Sequence, residues 1–211
     1  MLFRGQSRAH GGDAKAAETD LEAALSQALA EGHAALAARA AIALAKTVGG
    51  DEARIEAAVV WAKLATSLVE PEAIDGAVRA EAFEAMGWVL HRRGDAAQAQ
   101  GWYERALAAQ VELRGSQHVR VVRLHVALAE VALSLGDAAA AEENAEQAVG
   151  LCEQGNAGEL SLAAARFVLA RALSSGARAR ELAEEALDAY SEHGGHPERE
   201  QAVKTWLQPP P

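Results

Sequence analysis

The chain has 211 residues, room for one large domain or two small ones. Half of it is apolar but only 4% is aromatic, and alanine, the best helix former, fills 53 positions. That composition excludes collagen, a disulfide scaffold and a disordered acidic tail, and it opposes an all-β fold; a formal net charge of −10 without a basic face opposes nucleic-acid binding.

In chain order, residues 1–13 carry glycines and polar residues without periodicity and are expected to be disordered. From there the apolar pattern predicts ten amphipathic helices, over about 14–31, 33–47, 51–69, 72–93, 96–114, 117–135, 138–153, 158–174, 177–192 and 197–207. The expected organisation is one helical repeat domain over 14–207, with its strongest units at 78–114, 117–153 and 158–192, and a short tail at 208–211. No run of 18 apolar residues occurs, and no apolar core of signal-peptide length follows Met1-Leu2-Phe3-Arg4-Gly5. The expectation is a cytoplasmic protein with no membrane partner. The one cysteine, Cys152, lies in an apolar helical pattern and reads as reduced and buried.

Internal similarity organises the helices. A small residue recurs as Gly87, Ala129 and Ala170, at steps of 42 and 41 residues. The alanine that opens the following helix motif recurs as Ala58, Ala99, Ala141 and Ala179, at steps of 41, 42 and 38. Each unit is a helix, a turn and a second helix. Gly94 and Gly136 supply the positive φ that ends the first helix, and Asp95 and Asp137 can cap the next. The third unit has a shortened turn, with nine residues from Ala170 to Ala179 against twelve in the other two.

With Phe83, Met86, Gly87, Leu90, Gly94, Ala99, Tyr103, Ala106 and Leu107 at its spacing, the chain resembles a tetratricopeptide repeat (TPR) protein, in the longer-helix variant of kinesin light chains and many bacterial arrays. The resemblance implies an all-α, TPR-like α-solenoid of antiparallel helix pairs in a right-handed superhelix, stabilised by stacking of neighbours. A narrower resemblance covers Arg114-Gly115-Ser116-Gln117-His118, the run from Ala164 to Leu173, the run from Ala177 to Ala183, and Trp206-Leu207. These are similar to the C-terminal TPR region of large bacterial serine/threonine kinases of the myxobacterial type, although Val119 follows His118 where that family usually has proline.

Catalytic motifs are missing. There is no glycine-rich phosphate loop and no set of magnesium-binding aspartates, and His91-Arg92-Arg93-Gly94-Asp95 is a helix end and turn of the repeat. His118 with His125, and His193 with His196, have neither thiolate nor carboxylate company at metal-ligand spacing. The expectation is no catalytic residue, no metal and no cofactor. In a TPR array the first helix of each unit lines a concave groove, and the helical period then nominates Glu81, Glu84, Trp88, His91 and Arg92, next Arg123, Val126 and Glu130, and finally Phe167 and Arg171. Trp88 and Phe167 are the candidate aromatic anchors, each weighed against a packing role. The lysine and asparagine clamp of chaperone-binding TPR domains is replaced by Glu84, Trp88, Val126 and Glu130. The function expected is a protein-interaction scaffold or adaptor with a protein or peptide ligand in the groove, related to kinase signalling. The alternatives are a self-assembling repeat protein, whose uncapped N-terminal end exposes apolar surface, and an enzyme with a cryptic groove site.

Overall fold

The structure, a computed structural model, describes residues 1–70 and 75–208. Among the described residues there are eleven α-helices and no strand. In chain order they are α1 (Leu2–His10), α2 (Ala14–Ala30), α3 (Ala34–Val48), α4 (Ile55–Leu68), α5 (Gly76–Arg93), α6 (Ala96–Arg114), α7 (Val119–Leu135), α8 (Ala138–Leu151), α9 (Glu159–Leu173), α10 (Ala177–His193) and α11 (Pro197–Leu207). A 3-10 turn, Glu52–Arg54, leads into α4, and a π-helical turn, Cys152–Asn156, follows α8. Ten of the helices fall where the apolar period puts them. Positions 72–74 of the expected helix over 72–93, and 209–211 of the expected tail, lie outside the described residues.

The eleventh helix, α1, corrects the expectation of a disordered 1–13. Its backbone approaches α2 at Gly5, where a Cβ would stand 2.7 Å from Leu21 Cγ. Arg4 and Arg8 both bind the carboxylate of Asp20. Neither device has a hydrophobic period, so neither shows in the pattern of the sequence.

The helix ends follow from local chemistry. Gly94 and Gly136 take φ of +94° and +76° after α5 and α7. Asp13, Asp75 and Asp137 accept backbone N–H bonds in the first turns of α2, α5 and α8, and His118 Nδ1 accepts from Arg120 N at the start of α7. Asp95 spends its carboxylate on Arg93 instead. The shortened third turn closes with Ser174 at φ +59° and Gly176 at +100°.

The helices group into two compact units, divided between Leu113 and Arg114. In the first unit, successive helices pack from α1 to α5, and α3 also touches α5. The α5–α6 pair closes where Gly87 meets the ring of Tyr103 and Phe83 lies 5.6 Å from Trp102. In the second unit, successive helices pack from α7 to α11, and α7 also touches α9. The repeated alanines Ala58, Ala99, Ala141 and Ala179 are all fully buried. They let helices approach closely while valine, leucine and tyrosine from the facing helix fill the space.

A Cβ at Gly87 would lie 3.0 Å from the Tyr103 ring. Gly87→Leu should therefore overpack the α5–α6 pair and lower stability by roughly 1–3 kcal/mol. Chemical denaturation checks this, and an unchanged midpoint would contradict the register of the pair.

Candidate functional site

In the first unit the nominated residues sit on the side of α5 that faces α3. Arg39 of α3 lies 3.9 Å from Glu81 and 3.9 Å from Asp75, and Lys46 lies 3.9 Å from Glu84. Glu81 and Glu84 are half-buried, while the two cations lie further into solvent. The partners Arg39 and Lys46 were not nominated from the sequence. They stand seven residues apart on an alanine-rich helix, a spacing that puts both on one face and could have revealed them.

Trp88 belongs to the same strip. Its ring seats on the end of α3, where a Cβ on Gly49 would meet Trp88 Cζ3 at 2.8 Å. The guanidinium of Arg92 lies 5.4 Å from the Trp88 ring centroid, a cation–π contact. Trp88 is thus half-buried, with one edge on the neighbouring helix and one under an exposed arginine. His91 is half-buried beside it. The four residues Glu81, Glu84, Trp88 and Arg92 run along α5 as carboxylate, carboxylate, indole and guanidinium.

The second unit is built differently. Arg123 is exposed on α7 and Glu130 is half-buried. Val126 packs against two apolar clusters, one with Val122, Ala148, Cys152 and Ala165, the other with Ala129, Ala145, Val168 and Leu169. Phe167 packs beside Ala163, Ala170 and Tyr190, meets Trp206 edge to face at 6.3 Å, and carries Arg171 at 5.9 Å from its ring. Val126 and Phe167 are thus half-buried against these clusters, and Trp206 of α11 is the neighbour that the helical period of α9 did not announce. The structure brings Glu81, Glu84, Trp88, His91 and Arg92 together in one unit, and Arg123, Val126, Glu130, Phe167 and Arg171 lie in the other.

Two of the histidines have local partners. His125 Nδ1 is 3.0 Å from Asn144 Oδ1, and His193 Nδ1 is 3.0 Å from the carbonyl of Ala189. Among the described residues no group of three or more His, Cys, Asp and Glu side chains could hold a metal ion. Cys152 is buried, and burial pushes its thiol above the usual range, away from the thiolate that reactivity requires. A cleft of about 550 Å³ between α9 and α10 is lined by Glu159, Arg166, Glu185, Asp188, Glu192 and His193, with Arg166 Nε donating to Glu185 at 3.0 Å.

The stacked helix pairs are those of a TPR-like α-solenoid, an all-helical repeat fold. Residues 78–154, from α5 into the turn after α8, match the tetratricopeptide repeat family. The whole chain is similar in structure to BtubC (BKLC) from P. vanneervenii, with TM-score 0.72 and 18% identity over 98% of this chain and 82% of that one. It is also similar to two crystal structures of the Podosopora anserina putative kinesin light chain nearly identical TPR-like repeats. One aligns at TM-score 0.73 and 18% identity over 91% of this chain and 93% of that one. The other aligns at 0.68 and 17% over 99% and 95%. No curated protein sequence matches the chain.

If Phe167 packs rather than recognises, Phe167→Ala should lower the stability of the second unit by about 2 kcal/mol, less than a fully buried ring would cost. Urea unfolding followed by amide exchange of the α9–α11 peptides reads this. A silent substitution would return the ring to a ligand-facing role.

Proposed function

We propose that the chain is a non-catalytic protein-interaction scaffold and that the α3–α5 strip of its first unit is the surface that engages a protein or peptide ligand. TPR repeats generally mediate protein–protein contacts, which supports the class of function. The observation that carries the choice of surface is the strip itself. It sets an indole under an exposed guanidinium, in line with two carboxylates that exchange ion pairs with α3. Ion pairs at 3.9 Å between partly exposed groups contribute little to folding, so Arg39 and Lys46 can exchange these partners for those of a ligand at small cost. An aromatic ring with few rotamers supplies contact area to go with them. The ligand it suits is a segment of mixed charge.

The finer setting, a regulatory segment of bacterial serine/threonine kinase signalling in the cytoplasm, is supported by the sequence of 114–207 alone. No helix among the described residues is long and apolar enough to cross a membrane. Self-association is the second reading, favoured by Phe3, 84% exposed on α1.

Lys46→Glu combined with Arg92→Glu reverses charge at two outward positions of the strip. Capture of partner from a bacterial lysate should fall at least about tenfold, while stability changes by no more than about 0.5 kcal/mol, as for ordinary surface substitutions. Equal capture by wild type and variant would remove the strip from the proposal. Concentration-dependent mass in sedimentation with no captured partner would favour self-association.

A further inference from the structure

Only two of the 14 residues of α4 are charged, Glu56 and Lys63. Its buried face, with Ala58, Val59, Ala62 and Ala65, packs within the first unit, where α3 and α5 are its neighbours. The outward face is apolar at its middle. Val60 is 62% exposed, more than any other large apolar side chain described beyond residue 10. One exposed valine is ordinary, but its surroundings are ordered. The other exposed positions of α4 are Glu56, Ala57, Lys63 and Ser67, and Leu64 is half-buried. At 3.6 residues per turn these form one stripe centred on Val60, with Glu56 and Lys63 along one edge and Ala57 and Leu64 along the other. The Glu56 side chain is 76% exposed and reaches Arg93 at 3.5 Å. Lys63 makes no ion pair among the described residues.

We propose that the outward face of α4 is a dimer seam, occupied by the same face of a second copy running antiparallel to it. Charge complementarity selects this occupant. A two-fold interface must match itself. Turning α4 end for end across the seam brings together positions equally far before and after Val60, and it keeps each edge of the stripe against the same edge. Glu56 then faces Lys63 of the second copy, and Lys63 faces its Glu56, so two ion pairs close one edge. Along the other edge Ala57 faces Leu64, a small side chain against a large one, in both directions. Val60 meets its own copy at the middle and is covered. A parallel pairing sets Glu56 against Ala57 and Lys63 against Leu64 and joins no charges. The seam is one helix from each copy, smaller than a standard stable interface, so the dimer is weak and reversible. It leaves the α3–α5 strip of each copy uncovered, and it does not rest on that strip's being a ligand surface.

Sedimentation equilibrium of the full chain between about 5 and 500 µM tests this. The mean mass of the wild type should climb from monomer toward dimer, and Val60→Glu should stay monomeric throughout. Glu56→Lys alone and Lys63→Glu alone should each raise the dimer Kd at least about tenfold, because each turns both ion pairs into repulsions. An equimolar mixture of those two variants should dimerise at least as well as the wild type, since every pair across the seam is then opposite in sign. That recovery separates a lost contact from a lost fold. A wild type that is monomeric throughout overturns the proposal. So does association that Val60→Glu leaves unchanged, and so does a mixture that recovers nothing.

Discussion

The ring of Tyr103 rests on the bare backbone of Gly87, and the same arrangement recurs along the chain: a bulky group laid over a position that has no side chain to resist it. Trp88 does this on Gly49, and Leu21 does it on Gly5. Where alanine replaces glycine, the buried rows of Ala58, Ala99, Ala141 and Ala179 serve the same end with one methyl group. Interiors are packed as densely as crystals, so a helix pair built on small residues must come close or leave a void. Close approach then fixes which face of each helix is inward. The outward face is left to the charged residues that make up a quarter of the sequence.

From that constraint the candidate surface follows. The α3 and α5 helices lie near enough for Arg39 and Lys46 of one to reach Glu81 and Glu84 of the other. Trp88 can bridge to the end of α3 only because position 49 is glycine. Packing and the proposed recognition therefore draw on the same residues in the first unit, where the ring is half core and half surface. In the second unit the equivalent aromatic is half-buried too, but against different neighbours. Phe167 is closed over by Trp206 from the last helix and joins the cluster around Tyr190.

The helix boundaries were legible in the sequence because they rest on local chemistry. Glycines at positive φ, aspartates in capping positions and a 3.6-residue apolar period are each readable from a few neighbouring residues. The register of the repeats was legible for the same reason. What was not legible depends on who the neighbour is. The helical period marks Trp88 and Phe167 as lying off the main apolar face, but it cannot say that Gly49 and Trp206 come to meet them. In residues 2–10 the covered face is Leu2, Gly5, Gln6 and Ala9, too short and too poor in large apolar side chains to announce a helix by composition. Gln110 sits on the same face of α6 as Ala99, Tyr103 and Ala106, and it is buried with neither amide atom hydrogen-bonded, a polar residue in a core position that pattern alone reads as apolar. The division of the chain between Leu113 and Arg114 was equally hidden, since the repeat spacing runs through it without interruption.

Small side chains at the repeated positions hold the helix pairs together by permitting close approach, rather than by helix propensity alone. Leucine is nearly as good a helix former as alanine, so it separates the two effects. Equilibrium unfolding of Ala99→Leu, Ala141→Leu and Ala179→Leu against Ala97→Leu, an exposed position on the same helix as Ala99, is the direct measurement. The account predicts losses of roughly 1–3 kcal/mol at each of the three buried positions and no more than about 0.5 kcal/mol at Ala97. Equal small effects at all four would contradict it, because the alanines would then be serving the helices and not the contacts between them.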